Sequence, residues 1–417
     1  MNAVHTLGFA LALGFAVQAQ ADYLPDPAAA ETALRASPMV MQARGEFAAQ
    51  SLQSEGLQRG REEWAVAADV AQRRLDTPRD TQAEWGLALS RPLRLPARAA
   101  ADRALAGALT AHAEASLGEA MHESGRHLLA FWFDWLNAAA QNRLWHAQRA
   151  LAEQQLDAVN ARIRLGEAPR SERVNAEAAL AQSRLQQHQA ALRTQQARNR
   201  LQASFPGLPI AADDALPQPQ PPAGAANAHV DAVLAHSHEL FRARRQAEVL
   251  QAEAQRFAQH RSVDPSVGVF YKNEVGGSEH VLGLNVSLTL PGPARRADQQ
   301  AAAQRAATAQ DAALLLEQRL RQEARADFET AVAHAANWQQ ADQAAQALAE
   351  AARLAARAYS LGEGSLDQVL VNRRLALDGQ LAAQQAQIDA LAAQARLRLD
   401  AHELWLVGDA AGGHARP

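Results

Sequence analysis

The fold is decided by one stretch of the chain, Glu279 to Tyr359, which begins EHVLGLNVSLTLPGPARRADQQ (279–300). From Leu282 to Leu290, leucine and valine alternate with small or polar residues, which predicts a strand with one apolar face and one small, polar face. Between Pro293 and Gly362 the chain has neither proline nor glycine. Alanine, glutamine, leucine, arginine and glutamate dominate there, and at ~1.5 Å per residue they predict a helix of roughly 100 Å. A two-faced strand that feeds one very long helix is therefore the central unit.

The same unit occurs earlier in the chain, at a nearly constant offset. At the junction of strand and helix, seven residues recur 197 positions later: Gly86, Leu87, Ser90, Leu93, Pro96, Ala97 and Arg98 correspond to Gly283, Leu284, Ser287, Leu290, Pro293, Ala294 and Arg295. At the break after the long helix, Leu165-Gly166-Glu167 recurs 196 positions later as Leu361-Gly362-Glu363. Matching offsets at both ends predict an internal duplication with two helical hairpins of equal length.

The duplication predicts a layout of two repeats between a leader and a tail. Residues 1–21 are predicted to be a signal peptide, because Leu7–Val17 is apolar and Ala19-Gln20-Ala21 has the pattern of a cleavage site. The first repeat is predicted at residues 22–204, with a helix over 27–58, a β-hairpin at 62–95 and a long helical hairpin at 97–204. A proline-rich linker follows at 205–224. The second repeat is predicted at residues 225–407, with a helix over 229–259, a β-hairpin at 263–290 and a long helical hairpin at 294–407, and residues 408–417 are predicted to be a flexible tail.

Composition argues against several classes of protein. The chain has 417 residues, no cysteine and a net charge of −4, which excludes disulfides and thiolate metal sites and does not favour nucleic acid as a partner. No catalytic motif such as G-x-S-x-G, a P-loop or H-E-x-x-H occurs, so we predict neither an enzyme nor a cofactor site. The 14 histidines are interpreted as scattered, solvated helix residues, and no metal site is predicted.

The strands and long helices together indicate a conduit. Four strands of ~9–11 residues have the length that a tilted strand needs to cross a membrane, but a small barrel requires about eight strands. Three chains would supply twelve, with leucine and valine facing lipid and small polar residues facing water. Trp64, Trp85 and Tyr271 are predicted near strand ends, at the membrane interface. The helical hairpins would coil into a hollow cylinder that continues the barrel.

These features resemble the TolC family of outer-membrane efflux channels over nearly all of the chain after the predicted signal. Four kinds of motif carry the resemblance: helix starts, strand-to-helix junctions, tip turns and the segments after the tips. The helix starts are Ala36-Ser37-Pro38-Met39-Val40 and His236-Ser237-His238-Glu239-Leu240, and the strand-to-helix junctions are Ser90–Ala104 and Ser287–Ala301. The tip turns are Arg164-Leu165-Gly166-Glu167 and Tyr359-Ser360-Leu361-Gly362-Glu363-Gly364-Ser365. The segments after the tips are Val174-Asn175-Ala176 and Val369-Leu370-Val371-Asn372.

The resemblance implies a mainly α fold with duplicated helical hairpins and a trimeric, 12-stranded transmembrane β-barrel in the outer membrane, extending into the periplasm. It also implies a homotrimer that contacts outer-membrane lipid, an inner-membrane pump of the RND type, and a periplasmic adaptor that docks at the helix tips. The residues predicted to carry docking are Arg164, Leu165, Gly166, Glu167, Ala168, Ser360, Leu361, Gly362, Glu363, Gly364 and Ser365.

The chain departs from some members of this family at the narrow end of the pore. Those members carry acidic residues after the second tip, whereas the matching positions here are Gln368 and Val371, with Asp367 one step away. These three residues are the candidates for the pore constriction. A basic residue that latches the closed tip in such members corresponds here to Gly364, so the gate chemistry does not carry over.

The cargo is left open by the sequence. The junctions Leu93–Arg98 and Leu288–Pro291 resemble the cobalt–zinc–cadmium branch of the family, which implies export of heavy-metal cations. The alternatives are an exit duct for drugs, an exit duct for a secreted protein (type I secretion) and, from another class, a periplasmic coiled-coil adaptor or scaffold.

Overall fold

The structure is a computed structural model that describes residues 23–60, 62–211, 216–259 and 262–405. The predicted signal peptide (1–21) and tail (408–417) lie outside these ranges. Within them the chain forms eight α-helices and four strands, in the order α1 (Pro27–Ala36), α2 (Pro38–Arg59), β1 (Ala65–Asp76), β2 (Arg79–Pro92), α3 (Pro96–Arg164), α4 (Arg170–Ser204), α5 (Ala226–His236), α6 (His238–Gln259), β3 (Asp264–Glu274), β4 (Glu279–Thr289), α7 (Pro293–Ser360) and α8 (Leu366–Asp400).

The two long hairpins have nearly the same dimensions. Helices α3 and α7 contain 69 and 68 residues, and α4 and α8 contain 35 residues each. Each long helix begins at a proline, whose missing N–H costs nothing in the first turn. At ~1.5 Å per residue each long helix reaches roughly 100 Å. In the described part of the chain, no helix is apolar enough over a sufficient length to cross a lipid bilayer.

Small residues allow the helices of each hairpin to pack closely. Buried residues recur every seventh position in the two shorter arms: Ala176, Ser183, Ala190 and Ala197 in α4, and Val369, Ala376, Ala383, Ala390 and Leu397 in α8. A repeat of seven is the period of a coiled coil, in which one stripe of each helix faces its partner. The hairpins are thus coiled coils with narrow, mostly alanine seams.

The two short helical segments are each broken in two, which corrects the single helices predicted over 27–58 and 229–259. Ser37 separates α1 from α2, and its hydroxyl accepts a hydrogen bond from the N–H of Val40 (3.4 Å). Ser237 separates α5 from α6 in the same way, with the N–H of Leu240 as donor (3.1 Å). A serine cap favours a new helix start over continuation. The last helix also ends earlier than predicted, at Asp400.

The four strands form one antiparallel sheet in the order β1-β2-β3-β4. Sequence neighbours pair throughout, so the second hairpin continues the first through the pairing of β2 with β3. Strands β1 and β4 are the outer strands, and each pairs along one side within the chain. The sheet therefore carries two open edges, which in a membrane require a partner strand.

The main hydrophobic core lies around the middle of α3. Trp132 is fully buried there and donates a hydrogen bond from its indole N–H to the carbonyl of Tyr23 (2.8 Å). The predicted linker is packed against this region, since Phe205 is buried in the core and the amide of Gln387 on α8 donates to the carbonyl of Pro217 (3.0 Å). The described parts of the linker between the repeats therefore pack along α8 in a defined conformation.

Candidate functional site

One face of the sheet is apolar across all four strands. The register aligns Val66 with Leu89, Leu89 with Val269, and Val269 with Leu284. The side chains on this face lie in the open: Val70 is 85% exposed, and Leu284 is 80% exposed. An apolar surface of this extent is not stable against water, so it indicates contact with lipid or with another protein.

The opposite face is small and polar, and glycines make room on it for larger neighbours. Gly86 pairs with Asp69, and Gly283 pairs with Phe270. A β-carbon at Gly86 would lie 2.6 Å from a carboxylate oxygen of Asp69, and one at Gly283 would lie inside the space of the Phe270 ring. Gly86 and Gly283 are equivalent positions of the repeat, so both hairpins use the same device to hold a larger residue on this face.

The prediction that Trp64, Trp85 and Tyr271 lie near strand ends is only partly correct. Tyr271 lies near the end of β3, and Trp64 precedes β1, with the guanidinium of Arg91 5.4 Å from its ring centre. Trp85, however, lies in the middle of β2, because β1 and β2 extend beyond the end of the second hairpin. The rings of Trp85 and Tyr271 are 5.6 Å apart, so Trp85 lies level with the β3–β4 turn.

Arginines at equivalent repeat positions fix the sheet to the long helices. Arg98 and Arg295 are 197 residues apart, and both form ion pairs with Asp264 at the start of β3. A second carboxylate, Asp102, pairs with Arg94 (2.9 Å) and Arg256 (2.6 Å). Burial raises the pKa of Asp102 and the two arginines lower it, and the net effect is a lowered pKa. Half-buried pairs of this kind hold a fixed angle between strand and helix more firmly than exposed ones.

The two helical tips have the same backbone geometry. Gly166 and Gly362 have φ values of +77° and +81°, and each follows the last residue of a long helix by two positions. At the first tip the N–H of Glu167 donates to the carbonyl of Arg162 (2.9 Å), and at the second the N–H of Glu363 donates to that of Ala358 (2.9 Å). This pattern is a Schellman cap, which places glycine in the left-handed conformation.

Both tips present apolar side chains to solvent. Leu165 is 72% exposed and Leu361 is 60% exposed, at equivalent positions. Val174 and Val371, one turn or more into the following helices, are each 59% exposed. The residues predicted to dock an adaptor therefore include two exposed leucines, while Ala168 and Gly364 are half-buried at their turns.

Two hydrogen bonds connect the first tip to the second. The hydroxyl of Tyr359 on α7 donates to the carboxylate of Glu172 on α4 (2.5 Å), and the amide of Asn175 donates to Asp367 on α8 (2.9 Å). Burial, followed by the hydrogen bond to Glu172, raises the pKa of Tyr359 to about 12. The guanidinium of Arg162 lies 4.5 Å from the centre of the Tyr359 ring. These contacts hold the two hairpins together at their tips.

Comparison with known proteins identifies this architecture. No protein-family model matches the chain, and no curated protein matches it by sequence. Solved structures match over almost all of it. The outer membrane protein VceC from Vibrio cholerae is 16% identical, with a TM-score of 0.71 over 91% of this chain and 96% of that one. The chain has the TolC-like fold.

Two further structures support the same fold. The Campylobacter jejuni CmeC outer membrane channel is 14% identical and has a TM-score of 0.68, over 98% of this chain and 94% of that one. The open state of the Neisseria gonorrhoeae MtrE outer membrane channel is 20% identical and has a TM-score of 0.62, over 91% of this chain and 89% of that one. The fold class predicted from the duplicated strand and helix is therefore confirmed.

The TolC-like fold brings the three candidates for the pore constriction to the start of α8. Asp367, Gln368 and Val371 are all exposed there. Asp367 accepts the hydrogen bond from Asn175, and the N–H of Gln368 is held by the hydroxyl of Ser365 (3.2 Å). Their role in a constriction stays a prediction.

The interpretation of the histidines as scattered is wrong for four of them, and their interpretation as solvated is wrong for His122, His238 and His402, which are at least half-buried, whereas His236 is exposed. His122, His236, His238 and His402 come from three separate parts of the TolC-like fold, and their rings lie in contact. His127 on α3 is half-exposed, as interpreted. Among the described residues, no three histidine or acidic side chains are arranged to hold a metal ion.

Sequence reasoning placed Tyr359 and Asn175 in the tip motifs but predicted no contact between the two tips. Glu172 and Arg162 carried no signal beyond ordinary surface charge on a helix. The contact made by Tyr359 could have been suspected, because it is one of three tyrosines in the chain and directly precedes the second tip. A rare aromatic residue beside a predicted turn is a reasonable candidate for a tertiary contact.

Proposed function

We propose that three copies of this chain form a duct through the outer membrane and the periplasm, working as the exit component of a tripartite efflux system. The partners would be a periplasmic adaptor and an inner-membrane pump of the RND type. In this arrangement four strands from each copy close a 12-stranded barrel, and the hairpins continue it as a cylinder of helices. Such a duct conducts passively and uses no catalytic group.

The observation that carries this proposal is the sheet, with an exposed apolar face and two open edges. An unpaired edge in lipid leaves N–H and C=O groups without partners, at several kcal/mol each, so a membrane sheet must close on itself. Four strands are too few to close, because about eight are needed for a small barrel. Pairing β4 of one copy with β1 of the next satisfies both edges at once and gives a closed ring.

The tips support the second half of the proposal. Leu165 and Leu361 are exposed at the far end of the hairpins from the sheet, where a partner reaching up from the inner membrane would meet them. Because the turns are equivalent in both repeats, a trimer would present six similar tips. A ring of six apolar tips suits an adaptor ring with helical ends better than a single globular partner.

We further propose that the cargo is heavy-metal cations, selected by the pump. This rests on the similarity of the junctions Leu93–Arg98 and Leu288–Pro291 to the cobalt–zinc–cadmium branch. A wide, water-filled duct needs no ligand for the ion. The test is a deletion strain challenged with zinc, cobalt and cadmium salts beside detergents and dyes. Selective sensitivity to the metals supports this cargo, whereas broad sensitivity to detergents and dyes indicates a drug duct.

The membrane proposal is tested with two neighbouring residues of β4. Val286 lies on the apolar face and Ser287 on the polar face. A lysine on the lipid face costs ~2–4 kcal/mol near the bilayer midplane, whereas one facing water costs little. We expect Val286→Lys to lose heat-sensitive trimers from the outer-membrane fraction and Ser287→Lys to keep them. Equal behaviour of the two variants, or wild-type chain recovered as a periplasmic monomer, would refute the duct.

The docking proposal is tested separately at the tips. Leu165→Glu and Leu361→Glu place a charge on the exposed turns, and Leu185→Glu places the same charge on an exposed site of α4 away from them. We expect the tip variants to form trimers normally but to lose crosslinking to the adaptor and resistance in cells. Unchanged crosslinking in the double tip variant would show that the adaptor binds elsewhere.

A further inference from the structure

Four histidine rings meet where α3, the junction of α5 with α6 and the end of α8 come together. His402, which follows α8, is central: its ring centre lies 5.4 Å from that of His122, 4.9 Å from that of His238 and 5.4 Å from that of His236. His122 and His238 are also in contact, at 5.9 Å. We call these four residues the histidine cluster. It joins the last described residues of the chain to two helices that are distant in sequence.

Two features show that the chain is built tightly around the histidine cluster. His402 has a φ of +58°, a left-handed conformation that is unfavourable for a residue with a side chain. It occupies the capping position after α8, where the N–H of Glu403 donates to the carbonyl of Arg398 (2.7 Å) and where glycine or asparagine is usual. On α3, Gly118 leaves space for His238, since a β-carbon there would lie 2.8 Å from its Nδ1.

The acidic groups near the histidine cluster are already engaged or buried. Asp400 lies 3.5 Å from Nε2 of His122, but it also accepts from Arg126 (2.9 Å) and pairs with Arg396 (3.5 Å). The charged groups that act on His122 are Arg126 on α3 and Asp400 at the end of α8. The other charged side chains on the packed elements are Glu119 and Glu123 on α3, Glu239 and Arg242 on α6, and Arg396 and Glu403 around the end of α8; Glu123 pairs with Arg126, and Glu239 pairs with Arg319 on α7. Most of the carboxylates thus have an arginine partner already.

Protonation of the histidine cluster is therefore unfavourable in the packed state. Burial, followed by Arg126, lowers the pKa of His122 from 6.5 to about 4, and burial, followed by His402, lowers the pKa of His238 to about 4. Burial also raises the pKa of Glu119 on α3. Several imidazolium ions in contact would repel one another.

We propose that the histidine cluster is an acid-sensitive latch, which holds the segment after α8 against α3 and α6 at neutral pH and releases it in acidic surroundings. In the released state the imidazoles are solvated and titrate near 6.5, so that state binds more protons below this pH. The latch is therefore fully closed above pH 6.5 and weakens as the pH falls from 6.5 towards 4. This property does not depend on the proposed duct.

The size of the effect follows from the two pKa values. For one histidine with a pKa of 6.5 in the released state and about 4 in the closed state, acidification from about pH 7.5 to 5.0 favours release on the order of 30-fold. Because His122 and His238 share the cluster, their effects overlap rather than multiply fully. For the wild-type chain we therefore expect the released population to rise at least tenfold over this pH range, which allows for coupling between the two histidines.

The test is hydrogen–deuterium exchange of the full chain in detergent, read as protection factors of the amides from Ala401 to Trp405. Protection factors are used because they are corrected for the intrinsic pH dependence of exchange. Buffers contain EDTA, so that the proton is the only ligand varied. We compare wild type, the double variant His122→Gln/His238→Gln, His402→Asn and, as a matched control on α3, His127→Gln, whose ring is half-exposed and outside the cluster.

We expect protection in wild type and in His127→Gln to fall at least tenfold between pH 7.5 and 5.0. In the double variant His122→Gln/His238→Gln, which lacks both buried histidines, we expect it to change less than threefold. Asparagine tolerates a positive φ, so His402→Asn keeps the cap and removes the central ring, and it is also expected to lose most of the pH response. Constant protection in the wild type, or a full response in both cluster variants, would overturn the proposal.

Discussion

Replacing Tyr359 with phenylalanine should loosen the link between the two helical tips. The change removes the hydroxyl group that donates to Glu172 and leaves the aromatic ring in place. The ring still packs in the small apolar cluster at the tips with Val159, Ala176, Leu366 and Val369, and Arg162 still lies over its face. The variant therefore isolates one hydrogen bond between α7 and α4.

The magnitude follows from the chemistry of that bond. A hydrogen bond to a charged group is worth ~1.5–3 kcal/mol, and the lower end applies here because the Glu172 carboxylate is half-exposed and regains water when the donor is lost. A loss of about 1.5 kcal/mol corresponds to a roughly tenfold rise in the population of separated tips. The second bond, from Asn175 to Asp367, remains and limits the effect to this size.

The assay is hydrogen–deuterium exchange at pH 7.5 of the first turns of α4 and α8, which flank the broken bond. We expect roughly tenfold faster exchange there in Tyr359→Phe and no change in the sheet. If the proposed duct is correct, the same variant raises its conductance in planar bilayers. Exchange at the tips is the primary measurement, because it does not depend on the duct.

Tyr271→Phe provides the matched control. Tyr271 also hydrogen-bonds through its hydroxyl, to Nδ1 of His280 (2.8 Å), but at the opposite end of the molecule. It should leave exchange at the tips unchanged. If Tyr359→Phe and Tyr271→Phe both give wild-type exchange at α4 and α8, the Tyr359–Glu172 bond does not hold the tips together, and the reasoning fails.

Three further predictions test the fold. Gly166→Ala and Gly362→Ala force a side chain into the left-handed region, so each should lower the free energy of unfolding, measured by thermal denaturation, by about 1–2 kcal/mol. Gly292 has a φ of −93° and lies in open space, so Gly292→Ala should lower it little. Gly283→Ala should lower the yield of folded chain by displacing Phe270, and adding Phe270→Ala should restore it. Arg295→Ala, which loses the pair with Asp264, should destabilise the chain by ~1 kcal/mol and Arg296→Ala by less, as measured by denaturation.

The strands and tips could be predicted because their signals are local. The alternation from Leu282 to Leu290 specifies which face is apolar without knowledge of any partner, and the pairing of Leu284 with Val269 then places both on that face. Likewise, the turns at Gly166 and Gly362 each end a helix through a hydrogen bond between residues only five positions apart in sequence. Both kinds of feature repeat in the two halves, so each prediction was supported twice.

The histidine cluster could not be predicted, because its members are brought together only by tertiary packing. His122 and His402 are far apart in sequence, and the spacing of His236 and His238 suggested no shared partner. The burial of His122, His238 and His402 depends on where α3, α6 and the end of α8 meet. The breaks at Ser37 and Ser237 coincide with the helix-start motifs that carry the family resemblance, but the surrounding residues alone predicted continuous helices, because a serine favours a helix start only where the preceding residues leave the helical conformation.

The two halves differ in their cores, and this difference indicates what the duplication preserves. Trp132 and Phe133 on α3 are buried, and the residues 197 positions later on α7 are Glu329 and Thr330, which are not buried. Tyr23, the linker and the described residues after α8 all pack on the core around α3. These core residues differ between the halves, while helix length, tip geometry and the strand junction have remained nearly equal. A requirement for a rod of fixed length joined to the sheet at a fixed junction accounts for this pattern, because buried residues can change as long as the core volume is kept.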